Sequence, residues 1–336
     1  MHFHTIIIGA GPGGLTCAAA LARQGVSVLV LERNTFIGAK VCAGGITWSG
    51  LARHIPEHMI ERHFPEQHVH SAIQKAILTS AHPIISTVNR EKLGHWMAEE
   101  AAHAGADIRT GEHVVKITDQ SVSTTSQSFS YDFLVGADGS NSLVRRYLKL
   151  PVENIGIGFQ YHVPGRFPKM IWHLDPELFN TGYSWIFPHK ERASVGAYCC
   201  RKDLSATALK ENLHRWMEKH GMNRTGLKAE AATINFDYRG YAFGNRFLTG
   251  DAAGLASGLT GEGIYPAVLS GDTIAGRILD PKYNDSKLSA LIKKQQDHSR
   301  LLRLTGSNKL ICRMVLESLV AALRLRLVSF SLLEMG

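Results

Sequence analysis

One glycine-rich stretch constrains the fold of this chain more than any other feature: residues 5–14, which read TIIIGAGPGG. Its apolar run predicts a buried strand, and Gly9, Gly11 and Gly14 follow in the spacing G-x-G-x-x-G. A helical pattern comes next, and a second apolar run then ends on Glu32. Strand, glycine turn, helix, strand and acid in this order predict a dinucleotide-binding βαβ unit.

The positions of this unit suit a bound dinucleotide. Gly9 allows a sharp turn, and Gly11 allows the backbone to approach a pyrophosphate. Gly14 allows close packing on the strand by a helix whose apolar pattern opens at Leu15. The N–H groups at the start of that helix can bind phosphate. Because Glu32 can accept hydrogen bonds from ribose hydroxyls, the site predicts FAD or NAD rather than NADP.

Length and composition place the chain among globular proteins. Its 336 residues, 44% hydrophobic and 20% charged, suit one large or two closely packed domains. The N-terminus has no basic segment followed by a long apolar run, so no signal peptide is predicted. Five cysteines form no C-x-x-C pair, and their odd number argues against disulfides, zinc and iron–sulfur clusters. We therefore expect a cytoplasmic protein.

The net charge of +8 is concentrated in the tail, where residues 287–336 carry nine Lys and Arg but three acids. This charge fits anionic lipid or an acidic protein better than nucleic acid, for which no motif is present. The apolar pattern predicts one or two helices that pack mostly on the protein itself. We expect the end of this region to contact the inner face of the cell membrane peripherally, and we expect a monomer.

A second loop of interest follows the apolar strand 133–135. It reads GADGSNSLVRR and places Asp138 at the carboxyl edge of the predicted sheet, close to the glycine turn. The two arginines at its end predict a second anion-contacting loop. The alternative is an ordinary helix start with Ser140 or Asn141 as N-cap.

A third loop follows the apolar strand 247–249. Asp251 at the end of this strand can bind polyol hydroxyls, and Gly250 precedes it in the sequence GDAAG. Gly261 and Gly263 allow backbone N–H groups to approach a flat ring or an oxygen, and a helix is predicted from about Ala267.

Residues 151–240 predict a second, mostly antiparallel region because the alternation of strands and helices stops there. Its aromatic side chains can form a core on one face and an apolar pocket wall on the other. They are Phe159, Tyr161, Trp172, Tyr183, Trp185 and Phe187. Five histidines between residues 51 and 70 indicate a solvated face more simply than a metal site, so no metal is predicted.

The loop 37–47 follows the second strand and should pass the far end of the cofactor. It contains Cys42, which is either a small buried filler or a functional group, and position alone leaves both open.

The three loops together resemble the FAD fold of the para-hydroxybenzoate hydroxylase superfamily. The resemblance implies that the cofactor is FAD, with Glu32 at the adenosine ribose, Arg90 near the pyrophosphate and Asp251 at the ribityl chain. The cofactor contacts that it implies are Gly9, Gly11, Gly13, Gly14, Glu32, Arg33, Cys42, Arg90, Val115, Asp138, Gly250, Asp251, Gly261, Gly263 and Ile264.

Three further motifs resemble the geranylgeranyl reductases of this superfamily. Residues 40–45, KVCAGG, are similar to K-x-C-G-G-G, with Ala43 in place of one glycine. Residues 183–188 match Y-x-W-x-F-P, and residues 261–265 match G-E-G-I-Y. The resemblance implies a prenyl-binding wall formed by Tyr183, Trp185, Phe187 and Tyr265.

The implied reaction is saturation of isolated C=C bonds in a geranylgeranyl-type chain by hydride from reduced FAD. Cys42 is the candidate proton donor, or part of the pocket wall, because a thiol is mostly protonated at neutral pH. The electron donor could be NAD(P)H, a ferredoxin or a quinol. An FAD-dependent monooxygenase and an electron-transfer flavoprotein acting on quinone remain the alternatives.

We therefore predict an α/β fold, α+β overall, with a Rossmann-like FAD-binding domain, an inserted, mostly antiparallel substrate sheet and a helical C-terminus. The predicted FAD-binding domain comprises 1–65, 88–150 and 241–285. The substrate domain comprises 66–87 and 151–240, and the helical region 286–336.

Overall fold

A computed structural model describes residues 1–38, 40–306 and 308–336. The strands of these residues form three sheets. They are β1 (His2–Ile8), β2 (Val28–Glu32), β3 (Gly45–Thr47), β4 (Ile60–Phe64), β5 (Glu66–His70), β6 (Lys75–Thr79), β7 (Ile85–Val88), β8 (Asp107–Thr110), β9 (Val114–Ile117), β10 (Ser121–Thr124), β11 (Ser128–Gly136), β12 (Ile155–Pro164), β13 (Met170–His173), β14 (Tyr183–Pro188), β15 (Arg192–Cys200), β16 (Glu230–Asn235), β17 (Ala242–Phe243) and β18 (Arg246–Leu248).

The helices pack around these sheets, and short 3₁₀ turns connect some of the elements. They are α1 (Pro12–Ala22), α2 (Arg90–His103), α3 (Leu143–Tyr147), α4 (Pro176–Phe179), α5 (Ala206–Lys219), α6 (Ile264–Leu279), α7 (Ser286–Gly306) and α8 (Lys309–Arg324).

The first sheet contains the dinucleotide-binding unit and has the strand order β17-β18-β11-β1-β2-β8. Strands β18, β11, β1, β2 and β8 are parallel, while β9, β10 and β17 add antiparallel pairs. Ile6, Ile7, Leu29 and Val30 are fully buried because helices cover both faces of a parallel sheet. The carboxyl ends of β1, β2 and β11 therefore meet at one edge, where a nucleotide can bind.

Helix α1 begins at Pro12, three residues before the predicted start at Leu15, because proline suits the first turn, where its missing N–H is not needed. A Cβ atom at Gly14 would lie 2.3 Å from the carbonyl oxygen of Gly9. A Cβ atom at Gly271 in α6 would lie 2.2 Å from that of Gly13. Glycine thus brings α1 close to both the strand and α6.

Strand β11 is longer than the predicted strand 133–135, since it begins at Ser128 and ends at Gly136. Its first residues pair with β10 antiparallel, and its last residues pair with β18 parallel. Different partners along one strand explain why the sequence pattern changes halfway. Helix α6 likewise begins at Ile264, three residues before the predicted Ala267.

The second sheet is mostly antiparallel and has the order β16-β12-β15-β14-β13-β5-β6, with β13 and β5 parallel. A third sheet, β3-β7-β4, joins it to the nucleotide-binding sheet. Residues 45–47, predicted as loop, form β3 in this small sheet. Residues 85–87 pair there too, and not in the substrate sheet. The predicted domain boundaries remain a prediction.

The two C-terminal helices pack on different parts of the fold, since α7 buries Leu288 and Leu291 in the apolar cluster of the parallel sheet. Helix α8 buries Cys312, Leu316, Val320 and Leu323 in the same apolar cluster as Trp172 and Tyr183. No helix of the described residues is long and apolar enough to cross a bilayer. The Rossmann-like unit, the inserted, mostly antiparallel sheet and the helical C-terminus confirm the predicted fold class.

Candidate functional site

A cavity of about 910 Å³ lies between the parallel sheet and the substrate sheet. It brings together all but two of the residues predicted for the site. Those lining it are Gly9, Gly11, Gly13, Glu32, Arg33, Cys42, Arg90, Asp138, Gly250, Asp251, Gly261, Gly263, Ile264, Tyr183, Trp185, Phe187 and Tyr265.

The other two predicted residues do not line this cavity. Gly14 lies behind the glycine turn, against the carbonyl of Gly9, where it serves helix packing. Val115 is 55% exposed, and its neighbours His113 and Val114 line the cavity in its place. The reason is the alternation of side chains along β9, which directs adjacent residues to opposite faces.

The glycine turn has the geometry that the motif requires. Gly9 has φ +103°, and a Cβ atom there would lie 2.4 Å from the carbonyl oxygen of Ala137. At Gly11 the nearest atom to such a Cβ would be the same oxygen, at 3.6 Å. Gly9 is therefore required by the fold, whereas Gly11 leaves open space on the cavity side.

Glu32 lies at the end of β2 and accepts hydrogen bonds from the backbone N–H groups of Ala10 and Asn34, both at 2.9 Å. The Asn34 amide also donates to it at 2.8 Å. These bonds hold the carboxylate at the edge of the glycine turn. An ionised carboxylate only accepts, so it can bind ribose hydroxyls there.

Asp251 lies in the third predicted loop and is nearly buried, with 8% exposure. Its Oδ2 atom accepts from Lys40 Nζ at 2.7 Å and from Ser140 Oγ at 2.9 Å. Lys40 belongs to the Cys42 loop and Ser140 to the Asp138 loop, so three loops outside the glycine turn meet at the Asp251 carboxylate. Neither contact could be predicted from sequence, because 211 positions separate Lys40 from Asp251 and 111 separate Ser140 from Asp251.

The Asp138 loop lines the cavity and also leads into a helix. Asp138 lines the cavity, while its Oδ2 atom accepts from the N–H of Leu143 at 2.6 Å at the start of α3. Ser142, and not Ser140 or Asn141, is the N-cap residue. Arg146 lines the cavity, whereas Arg145 is buried among backbone carbonyls and cannot contact an anion there.

Arg90 begins α2 and is the clearest sign of an anionic ligand. Its Nη1 atom is buried and has no hydrogen-bond partner among the described residues. Burial lowers the pKa of this guanidinium. A buried, incompletely partnered cation in a cavity that also receives the N-terminus of α6 fits a pyrophosphate, so the residues present fit FAD.

Cys42 lies in the loop between β2 and β3 and lines the cavity. Its Sγ atom accepts from the N–H of Gly44 at 3.4 Å, and its carbonyl accepts from Gln160 Nε2 at 3.3 Å. Cys199 and Cys312 are instead fully buried, and burial raises their pKa values to about 12 and about 11. Of the five cysteines, Cys42 is the one that lines the cavity.

Aromatic rings form the apolar end of the cavity. Tyr183 lies 5.3 Å from Trp172 and 5.9 Å from Trp185, measured between ring centroids, and Phe187 continues the row. Phe330, which follows α8, packs 5.2 Å from Trp172 and also lines the cavity. The predicted aromatic wall is thus extended by a residue of the tail that the sequence motifs did not indicate.

Glu262 is a further titratable residue of the cavity. It accepts from Thr47 Oγ1 at 3.2 Å and from the N–H of Met335 at 2.9 Å. Burial raises its pKa to about 7, chiefly because desolvation disfavours the charged form. The sequence marked this position only as part of a motif. Among the described residues, no group of three or more His, Cys, Asp or Glu could hold a metal ion.

Comparison with known proteins agrees with this geometry. Residues 2–164 match the FAD binding domain family. The chain is 31% identical over 300 residues to digeranylgeranylglycerophospholipid reductase 2 of Methanothermobacter thermautotrophicus, covering 80% of this chain and 75% of that protein. It is 28% identical over 295 residues to geranylgeranyl diphosphate reductase of Rhodobacter capsulatus, covering 81% and 73%.

Solved structures support the fold. A geranylgeranyl bacteriochlorophyll reductase-like protein of Thermoplasma acidophilum superposes with a TM-score of 0.75 at 20% identity, covering 96% of this chain and 91% of that one. A flavin-dependent brominase superposes with a TM-score of 0.68 at 15% identity, covering 96% and 93%. At such identities the superpositions establish the fold alone, and the sequence relatives confirm that the cofactor is FAD.

Proposed function

Because the chain belongs to the geranylgeranyl reductase family of FAD-dependent oxidoreductases, we propose that it saturates isolated C=C bonds of a prenyl chain. One observation carries the proposal. The glycine-lined, cation-containing end of the cavity continues into the row of aromatic rings, and Cys42 lines the same cavity. A cofactor and an apolar chain can thus meet in one enclosed space.

The chemistry divides between the cofactor and the chain. When bound and reduced, FAD supplies a hydride to one alkene carbon. The wall formed by Trp172, Tyr183 and Trp185 excludes water and aligns the prenyl chain, which matters because an isolated alkene has no carbonyl to polarise. Cys42 donates the proton that the second carbon requires, so hydrogen is added across the bond.

Replacement of Cys42 by serine tests this role. We expect the Cys42→Ser variant to retain FAD but to saturate prenyl substrates at least about 100-fold more slowly, since a serine hydroxyl is a poorer proton donor. Cys200→Ser is the matched control, because Cys200 is also partly exposed but does not line the cavity. An unchanged rate in the Cys42 variant would exclude the donor role.

The assay is anaerobic. Purified holoprotein is reduced with dithionite, which replaces the natural donor whether that is NAD(P)H, a ferredoxin or a quinol. Geranylgeranyl substrates are added, and products are expected to gain about two daltons for each saturated bond. A flavin-containing protein that gives no such product would contradict the proposal. Oxygen uptake with hydroxylation, or rapid quinone reduction, would favour one of the alternatives.

We also propose that the tail binds a membrane of anionic lipid, where a prenyl lipid would be found. Leu310 and Met314 on α8 are 65% and 62% exposed, and Leu327 beyond it is 74% exposed. Arg313 and Arg324 are exposed on the same helix. Apolar side chains beside cations suit the interface of an anionic bilayer. The cytoplasmic location and the monomeric state remain predictions from sequence.

Vesicle co-sedimentation tests this second proposal. The holoprotein should bind vesicles that contain phosphatidylglycerol and bind pure phosphatidylcholine weakly. The double change Arg313→Glu and Arg324→Glu should weaken binding at least about tenfold, since each basic residue near the surface contributes roughly 1 kcal/mol. Leu279→Ser, at an exposed position at the end of α6, is the control. Equal binding of both variants would contradict membrane contact through α8.

A further inference from the structure

A buried polar cluster lies directly behind the Cys42 loop. His189, at the end of β14, is 4% exposed. Its Nε2 atom lies 3.0 Å from the carbonyl oxygen of Ala43, the residue after Cys42. Its Nδ1 atom lies 2.5 Å from Glu61 Oε2 on β4. One ring thus links the substrate sheet and the small third sheet to the loop that carries the cavity thiol.

The two partners hold the ring from both sides. A backbone carbonyl can only accept a hydrogen bond, so the Nε2–H of His189 donates to Ala43. The hydrogen bond with His189 is the largest influence on Glu61 and lowers the pKa of that carboxyl, although burial opposes it. Glu61 thus anchors a ring whose other nitrogen binds the Cys42 loop.

The loop is also fixed from other directions. Gln160 donates to the Cys42 carbonyl at 3.3 Å, and the N–H of Val88 donates to the Gly44 carbonyl at 2.9 Å. Gly44 has φ +80°, and a Cβ atom there would lie 2.5 Å from the Val88 carbonyl oxygen and 2.7 Å from His189 Cε1. The backbone is therefore packed against the imidazole ring itself.

Other charged groups face this cluster, but none substitutes for Glu61. Lys190 and Arg192 flank His189 and act on Glu61 as cations. The His162 ring lies 6.5 Å from the His189 ring, and its Nε2 atom pairs with Glu230 at 3.3 Å. Desolvation, the largest influence on it, lowers the pKa of His162. Glu61 is thus the carboxylate in contact with His189.

We propose that His189 is a positioning residue, which is held between Glu61 and the Ala43 carbonyl and fixes the Cys42 loop against the cavity. The proposal rests on the proposed function in one respect, that Cys42 acts on the substrate. Removal of the ring would remove its bond to the Ala43 carbonyl and loosen the loop. Replacement of His189 should therefore change the accessibility of Cys42.

The test measures alkylation of Cys42 by iodoacetamide in FAD-loaded protein at one neutral pH, followed on the Cys42 peptide by mass spectrometry. We expect His189→Ala to react about ten times faster than the wild type, because the loop loses its bond to the ring and opens more often. His189→Gln should restore most of the wild-type rate, because glutamine can still donate to the Ala43 carbonyl. Glu61→Gln should give an intermediate rate, because it keeps the ring but weakens its anchor.

His63→Ala is the matched control. His63 also lies on β4 and pairs with a glutamate, Glu57, at 2.9 Å, but its other nitrogen contacts Ser86 rather than the loop. It should leave Cys42 alkylation unchanged. Equal rates for wild type and His189→Ala would overturn the proposal, and so would a His189→Gln variant that reacts as fast as His189→Ala. If His189→Ala does not retain FAD, His189→Leu replaces it, because leucine fills space beside Gly44 but cannot donate to Ala43.

The readout needs no prenyl turnover. A protein that reduces no prenyl substrate can still show faster alkylation in His189→Ala and its reversal in His189→Gln, which would reject the proposed function and keep the positioning role. The opposite result, turnover with equal alkylation rates, would reject the positioning role alone.

Discussion

Replacement of Gly9 by alanine is expected to remove bound FAD and to lower the free energy of unfolding by roughly 3–5 kcal/mol. Gly9 has φ +103°, a conformation that alanine rarely adopts. The added Cβ atom would also lie 2.4 Å from the Ala137 carbonyl oxygen and 2.7 Å from its carbon. Both are backbone atoms beyond the end of β11, so no side-chain rotation can relieve the overlap. Urea unfolding and flavin absorbance per chain measure the two effects.

Substitutions at two other glycines distinguish the effect of the positive φ from that of the steric overlap. Gly25 has φ +73° but nothing within 4 Å of an added Cβ atom, so Gly25→Ala should cost about 1 kcal/mol and retain FAD. In Gly11→Ala the added Cβ atom would have only the Ala137 carbonyl oxygen within 4 Å, at 3.6 Å. This variant should leave the apoprotein stable but weaken FAD binding, because its methyl group occupies cavity space. Similar loss of stability in the Gly9 and Gly25 variants would show that the overlap contributes little.

The second large effect is expected at Arg90. Its Nη1 atom is buried without a partner among the described residues, which is costly for a guanidinium unless a ligand pairs with it. Arg90→Met should therefore weaken FAD binding by about 10- to 100-fold, the range for a hydrogen bond to a charged group. The apoprotein should be as stable as wild type or more stable. Flavin titration measures the affinity for FAD, and urea unfolding measures the stability of the apoprotein.

Arg145 is the matched control because it is also buried but fully partnered. It donates to the carbonyls of Pro151 and Asp237, both at 2.7 Å, and to that of Ala252 at 3.2 Å. Arg145→Met should therefore destabilise the apoprotein by roughly 3–5 kcal/mol. If Arg90→Met costs the apoprotein as much, then Arg90 is a structural residue and not a ligand contact.

Much of the nucleotide-binding half could be predicted, because its turns and strands depend on residues that are close together in the sequence. The turn between β1 and α1 needs a positive φ at Gly9 and close helix packing at Gly14, and only glycine meets both requirements. The continuous apolar runs of β1 and β2 predict a buried parallel pair, because the strands of a parallel sheet are covered on both faces. The FAD fold followed from these features and from two later Asp-containing loops.

Neighbouring positions can face different surroundings. The Val115 side chain is exposed while Val114 lines the cavity, because side chains at adjacent strand positions point to opposite faces. Arg145 and Arg146 are neighbours in sequence, yet one is buried among carbonyls and the other faces the cavity. Residue type alone cannot distinguish such pairs.

The glycine turn, the acid at Glu32 and the family motifs were predictable from sequence, because each depends on residues close together in the chain. The surroundings of Cys42 and Asp251 were not, because they consist of residues far away in the chain. Lys40 reaches Asp251 across 211 positions, and His189 reaches Ala43 across 146. Such contacts arise when separate sheets pack together, and that packing depends on the whole core rather than on any local pattern.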